Sequence, residues 1–109
     1  MPFIYHITTD IDWAVAQGSG AYTADSLATE GFIHCSDEEQ YVDVANRLFR
    51  GRQDLVLLQI DTELVPSDIV YENLEGGAVH YPHVYGPIPV AAVVGVTRLV
   101  PAAGGGFVK

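Results

Sequence analysis

The stretch Gly31-Phe32-Ile33-His34-Cys35-Ser36 limits the fold of this chain more than any other. A helical segment must end before it, a strand must cross it, and a second helix must follow. Gly31, after Ala28-Thr29-Glu30, is suited to the left-handed residue that closes a helix. Phe32, Ile33 and Cys35 suit a strand. Ser36, with Glu39 three residues on, has the spacing of a capping box and predicts a helix from near Asp37. His34 is the odd member, because a purely structural strand would more easily carry Val or Thr. Strand alternation points His34 and Cys35 to opposite faces. If His34 faces a cleft, Cys35 is an inert thiol in the core.

The surrounding chain reads as short elements. Residues 3–8 are β-branched and aromatic and predict a first strand. Thr9, with Asp12 three residues on, starts a helix over 10–17 that Gly18-Ser19-Gly20 ends. Asp25 or Ser26 caps a single helical turn through Glu30. Residues 37–50 place Tyr41, Val44, Ala45, Leu48 and Phe49 on one apolar face, the clearest helix in the chain. Residues 55–60 are nearly continuously apolar, as expected of a central strand covered on both faces. A short strand over 69–72, a loop over 73–80 with Gly76-Gly77 as pivot, an irregular proline-bounded segment over 81–87 and a last strand over 92–99 complete the pattern. Residues 101–109, with Gly104-Gly105-Gly106, are expected to be a flexible tail. Helices come early and strands late, without regular alternation. The expected fold class is α+β, a single domain over 1–100 with mostly antiparallel sheets and short helices.

Charge limits the partners. Fourteen Asp and Glu against five Lys and Arg give a net charge of −9, which repels a phosphate backbone and makes nucleic acid a poor partner. Arg47, Arg50 and Arg52 cluster at one helix end, where cations offset the macrodipole. No apolar run is long enough to cross a bilayer, and the N-terminus has no signal-like segment. The lone Cys35 fits a reducing compartment. A soluble, cytoplasmic protein is expected.

Chemistry-bearing residues concentrate late in the chain. Tyr71, Glu72, His80, Tyr81, His83 and Tyr85 stand close together in and beside an irregular loop region, where binding residues gather on a rigid sheet. Each also has a plain structural use: His6 and His34 as hydrogen-bonded core residues, the tyrosines as core aromatics with a polar tip. His80-x-x-His83 with His34 or Cys35 could ligate zinc, but HExxH and CxxC are both absent, and no metal is expected. GxGxxG, GxxxxGK[ST] and GxSxG are absent too.

Tyr5-His6-Ile7, Trp13, Gly31 to Ser36, Gln40, Val44-Ala45-Asn46, residues 55–61, Tyr71-Glu72 and Pro82-His83-Val84-Tyr85-Gly86-Pro87 together resemble the small bacterial family called "domain of unknown function 952". More distantly, that pattern is similar to the ADP-ribosyltransferase superfamily, including the RNA 2′-phosphotransferases. The resemblance implies an ADP-ribosyltransferase-like fold and NAD as the bound cofactor. It places His6 beside the adenosine ribose, His34 in the strand motif of the phosphotransferases, and Glu72 at the acidic catalytic position. His34 shares the catalytic role, and His6, Thr8, His34, Ser36, His83 and Tyr85 make up the cofactor-binding set. No arginine matches the phosphate-holding positions of the phosphotransferases. Besides an NAD-dependent transferase, the residues admit a non-catalytic binder of a small molecule or nucleotide, and a structural protein with packed histidines.

Overall fold

The structure, a computed structural model, describes residues 3–73 and 76–109. In chain order its elements are β1 (Phe3–Thr9), α1 (Asp10–Ser19), β2 (Ala21–Tyr22), α2 (Asp25–Glu30), β3 (Ile33–His34), α3 (Tyr41–Leu48), β4 (Leu55–Asp61), β5 (Ile69–Glu72), β6 (Tyr81–Val84), β7 (Ile88–Pro89) and β8 (Val93–Leu99). Single 3-10 turns occupy Thr62–Leu64 and Val90–Ala92. Among the described residues, strands order as β1-β4-β8, β2-β7 and β3-β6-β5, and every pairing is antiparallel. No helix among them is long and apolar enough to cross a membrane.

The apolar run of β4 is explained by its place between β1 and β8. Leu55 and Leu57 face one side, packing with Ile7, Ala45, Leu99 and Phe107. Val56, Leu58 and Ile60 face the other, with Ile4, Trp13, Tyr22, Ile33, Cys35 and Val84. A strand buried on both faces has no position for a solvent-seeking residue, so alternation disappears from its sequence. The sheet is thus the middle layer, with α3 on one face and α1 and the smaller sheets on the other.

Local signals explain the helix ends. Thr9 accepts the Asp12 N–H at 3.1 Å and caps α1. Gly31 adopts φ 88°, and its N–H bonds the Leu27 and Ser26 carbonyls to close α2. The third helix differs from expectation. It begins at Tyr41 and not at Asp37, because the backbone of Ser36 is still bridged to β1: Ser36 and Tyr5 exchange two hydrogen bonds of 2.7 Å. Gln40 Oε1 instead takes the Asp37 N–H at 2.9 Å, holding the turn before the helix.

Two further expectations are corrected. Within the irregular segment 81–87, residues 81–84 form β6, the middle strand of β3-β6-β5. Pro82 argues against a central strand because it lacks an N–H. Here the β3–β6 ladder ends at the His34–His83 pair, and Pro82 stands just past it, its carbonyl accepting the Cys35 N–H at 3.0 Å. The tail is docked. Asn46 donates to the Phe107 carbonyl at 3.0 Å and accepts its N–H at 2.6 Å. Gly51 N–H reaches the Gly105 carbonyl at 2.8 Å, and Phe107 is only 4% exposed. One anchored aromatic seals the α3 face of the sheet. Of the expected loop over 73–80, Leu74 and Glu75 lie outside the described residues.

Candidate functional site

A cleft opens where β1 and β3 part. Tyr5 of β1 and Ser36, two residues past β3, form an isolated backbone bridge. Antiparallel register would next pair Ile7 with His34. Instead His6 Nδ1 reaches the His34 carbonyl at 2.5 Å, so a side chain holds the strands apart at a ring's width. Beyond that wedge lies a cavity of about 360 Å³, walled by β1, β3, the β5–β6 pair and α3. Ile7 lines it. Because the Tyr5 N–H and C=O point toward Ser36, alternation turns those of Ile7 the same way, onto the cleft.

His6 is the hinge of a buried chain. Its Nε2 lies 2.8 Å from the Tyr22 hydroxyl, which lies 3.0 Å from Thr8 Oγ1. A carbonyl only accepts, so His6 carries its proton on Nδ1. Burial pushes its pKa down to about 4, against a smaller opposing effect of the His34 carbonyl. The ring is therefore neutral, Nε2 is an acceptor, and the Tyr22 hydroxyl donates to it while accepting from Thr8. Burial also pushes the Tyr22 phenol up to about 12, so it keeps its proton. Three strands are tied together by this chain.

The β5–β6 wall carries the acid–base pair. His83 Nδ1 donates to Glu72 Oε1 at 2.9 Å, and the Tyr85 hydroxyl donates to the same oxygen. These two donors, Tyr85 foremost, hold the Glu72 carboxyl below its ordinary range, so it is ionised at neutral pH. His83 stacks on Phe32 with centroids 4.1 Å apart and planes 15° from parallel. It is 5% exposed. Its Nδ1 is taken by Glu72, and no buried side-chain nitrogen or oxygen among the described residues lacks a partner. Nε2, without one, is therefore open to the cleft it lines.

The facing wall is α3. Val44 and Leu48 line the cavity, and so does Arg47. Arg47 Nη2 donates to the Tyr81 hydroxyl at 3.3 Å, and its Nε stands 3.9 Å from Asp43. At the rim, His34 Nε2 meets Glu30 Oε2 at 3.0 Å. The lining thus offers two carboxylates, Glu30 and Glu72, and one guanidinium.

The structure brings His6, His34, Ser36, Glu72 and His83 to one cleft. It gives them different parts. His6 has both ring nitrogens engaged, so it shapes the cleft and has no free N–H for a ribose. Thr8 is 6% exposed and belongs to the Tyr22 chain, outside the lining. Tyr85 stands outside the lining too, 41% exposed, and acts through Glu72. Tyr71 turns away to Asp37 at 2.6 Å. Cys35 is 3% exposed and burial raises its thiol well above the usual range. Tyr81 comes from the late cluster of aromatic residues, and Arg47 joins the site unforeseen. The helical spacing of Arg47 from Val44 and Leu48 was the available signal. Among the described residues, no group of three His, Cys, Asp or Glu side chains is placed to hold a metal.

The sequence profile of the family described as "Protein of unknown function (DUF952)" matches residues 7–96, and the chain belongs to that family. It is similar throughout to protein CC0527 from Caulobacter crescentus. A crystal structure of that protein superposes with a TM-score of 0.87 at 32% identity, covering 98% of this chain and 94% of the other. A crystal structure of a double mutant of it agrees equally, with a TM-score of 0.87. The solution structure gives a TM-score of 0.83 at 34% identity, covering 96% and 90%. Comparison with curated proteins finds no match.

Proposed function

We propose that this DUF952 protein binds an NAD-type nucleotide in the cleft and transfers its ADP-ribosyl group with loss of nicotinamide, Glu72 facing the ribosyl carbon. The observation that carries this reading is the ionised Glu72 carboxylate in the cleft wall, held by His83 and Tyr85. A fixed carboxylate stabilises the cationic ribosyl centre that forms as nicotinamide departs.

The rest of the lining supports the same ligand. A cavity of about 360 Å³ is within the range of small-molecule sites. Glu30 and Glu72 favour a cationic ring, and Arg47 favours an anionic phosphate. NAD carries both. The edge backbone of Ile7 offers one donor and one acceptor, which a carboxamide matches. The ADP-ribosyltransferase-like fold belongs to this reading, and it rests on the resemblance of the His6, His34 and Glu72 motifs.

A second reading is a binder without catalysis, retuned for another nucleotide or metabolite. One observation favours it: both nitrogens of His6, the residue placed beside the ribose by resemblance, are tied up. Titration with NAD, ADP-ribose and nicotinamide, followed by amide NMR shifts, tests the cleft itself. Shifts at Phe32, His34, Arg47 and Tyr81 are expected. No shift there at millimolar ligand removes NAD from both readings.

A further inference from the structure

Resting on the transfer reading above, we propose that His83 is the proton acceptor of the cleft and that the ADP-ribosyl acceptor it serves is water. Four features converge on this residue. Its Nδ1–H is committed to Glu72 at 2.9 Å, which fixes the tautomer with the lone pair on Nε2. Its ring is clamped on Phe32, with centroids 4.1 Å apart. Its Nε2 opens onto the cleft and has no partner among the described residues. It is 5% exposed, so a group reaching Nε2 must be small. Water fits where a macromolecular side chain does not.

His34 is less well placed for this role. Its Nε2 is taken by Glu30 at 3.0 Å, and its side chain is 55% exposed. His6 has no nitrogen to offer.

The step balances as follows. A water O–H bond breaks and its proton passes to His83 Nε2. The water oxygen bonds the ribosyl C1′. The bond from C1′ to the pyridinium nitrogen breaks, and its electron pair stays on nicotinamide, which leaves neutral. ADP-ribose is the other product. Glu72 then neighbours both the imidazolium and the ribosyl centre.

The test compares wild type with His83→Asn, which retains a donor for Glu72 and deletes Nε2. Nicotinamide and ADP-ribose release from NAD are measured against pH, with NAD binding followed by NMR. The expected variant binds NAD within about twofold of wild type and turns over about 100-fold more slowly at every pH. Equal turnover overturns the role of His83 and leaves the cleft reading standing. Transfer to an added alcohol with no ADP-ribose formed overturns water as acceptor. A wild type that neither binds nor cleaves NAD overturns both readings. Should the variant not fold, imidazole 15N spectra of wild type decide: a protonated Nδ1 and a bare Nε2 that shifts on NAD addition support the proposal, and a protonated Nε2 in the free protein contradicts it.

Discussion

His6 donates from Nδ1 to the main-chain carbonyl of His34 across 2.5 Å, joining two strands by a ring where a backbone pair would otherwise continue. The contact fixes the path of residue 34 whatever its own side chain does. It also makes the cleft a consequence of the ring's width.

The buried neutral ring makes stability depend on pH. Folded His6 titrates at about 4 and an unfolded histidine at 6.5. Between those values the unfolded chain holds more protons, so stability rises with pH and is lost on acidification. The loss is about 1.4 kcal/mol per pH unit, reaching about 3 kcal/mol at pH 4. Glu72, with its lowered pKa, contributes stability above the ordinary carboxylate value of 4.5, lost only as pH falls below it. Urea unfolding at pH 7 and pH 5 should show the His6 slope in wild type and not in His6→Gln. Equal slopes would contradict the assignment.

Tyr22→Phe removes the hydroxyl that His6 Nε2 and Thr8 share. A buried acceptor is left unpaired, at about 1–2 kcal/mol of stability. Denaturation midpoints check this. Ligand-induced shifts at Arg47 and Tyr81 should persist, because Tyr22 is outside the cleft lining.

Cys35 is an inert thiol, sealed at 3% exposure with its ionisation opposed by burial. Native protein should react with a disulfide reagent at pH 8 at least about 100-fold more slowly than urea-unfolded protein. Comparable rates would place the thiol at the surface.

Much of this frame is legible in the residues. Gly31 marks a left-handed stop, residues 55–60 a doubly buried strand, and alternation puts Cys35 inward. Glu72 and His83 belong to the late cluster of chemistry-bearing residues, whereas His6 and His34 enter the set through the resemblance. Other parts depend on contacts distant in sequence. Ser36 looks like a cap until Tyr5 claims its backbone. Pro82 hides β6 because only the end of the β3 ladder makes its missing N–H harmless. Arg47 reads as a dipole-offsetting cation until α3 is docked as a cleft wall. Phe107 looks frayed among glycines until Asn46 reaches it.

Phe107 tests that last contact. It packs with Ala45, Leu57 and Leu99 under the α3 face. Phe107→Ala should cost about 3 kcal/mol through the cavity it leaves, measured by urea unfolding, and Asn46→Ala should cost about 1 kcal/mol. A Phe107 variant as stable as wild type would mean the segment is not docked.

Nicotinamide released from NAD by purified protein, wild type against Glu72→Gln, tests the cleft most directly. Release by wild type and a fall of about 100-fold in the variant are expected, because the carboxylate acts most strongly on the ribosyl cation that forms as the ring departs. NAD bound equally by both proteins with no nicotinamide from either would contradict transfer chemistry and leave a binding protein.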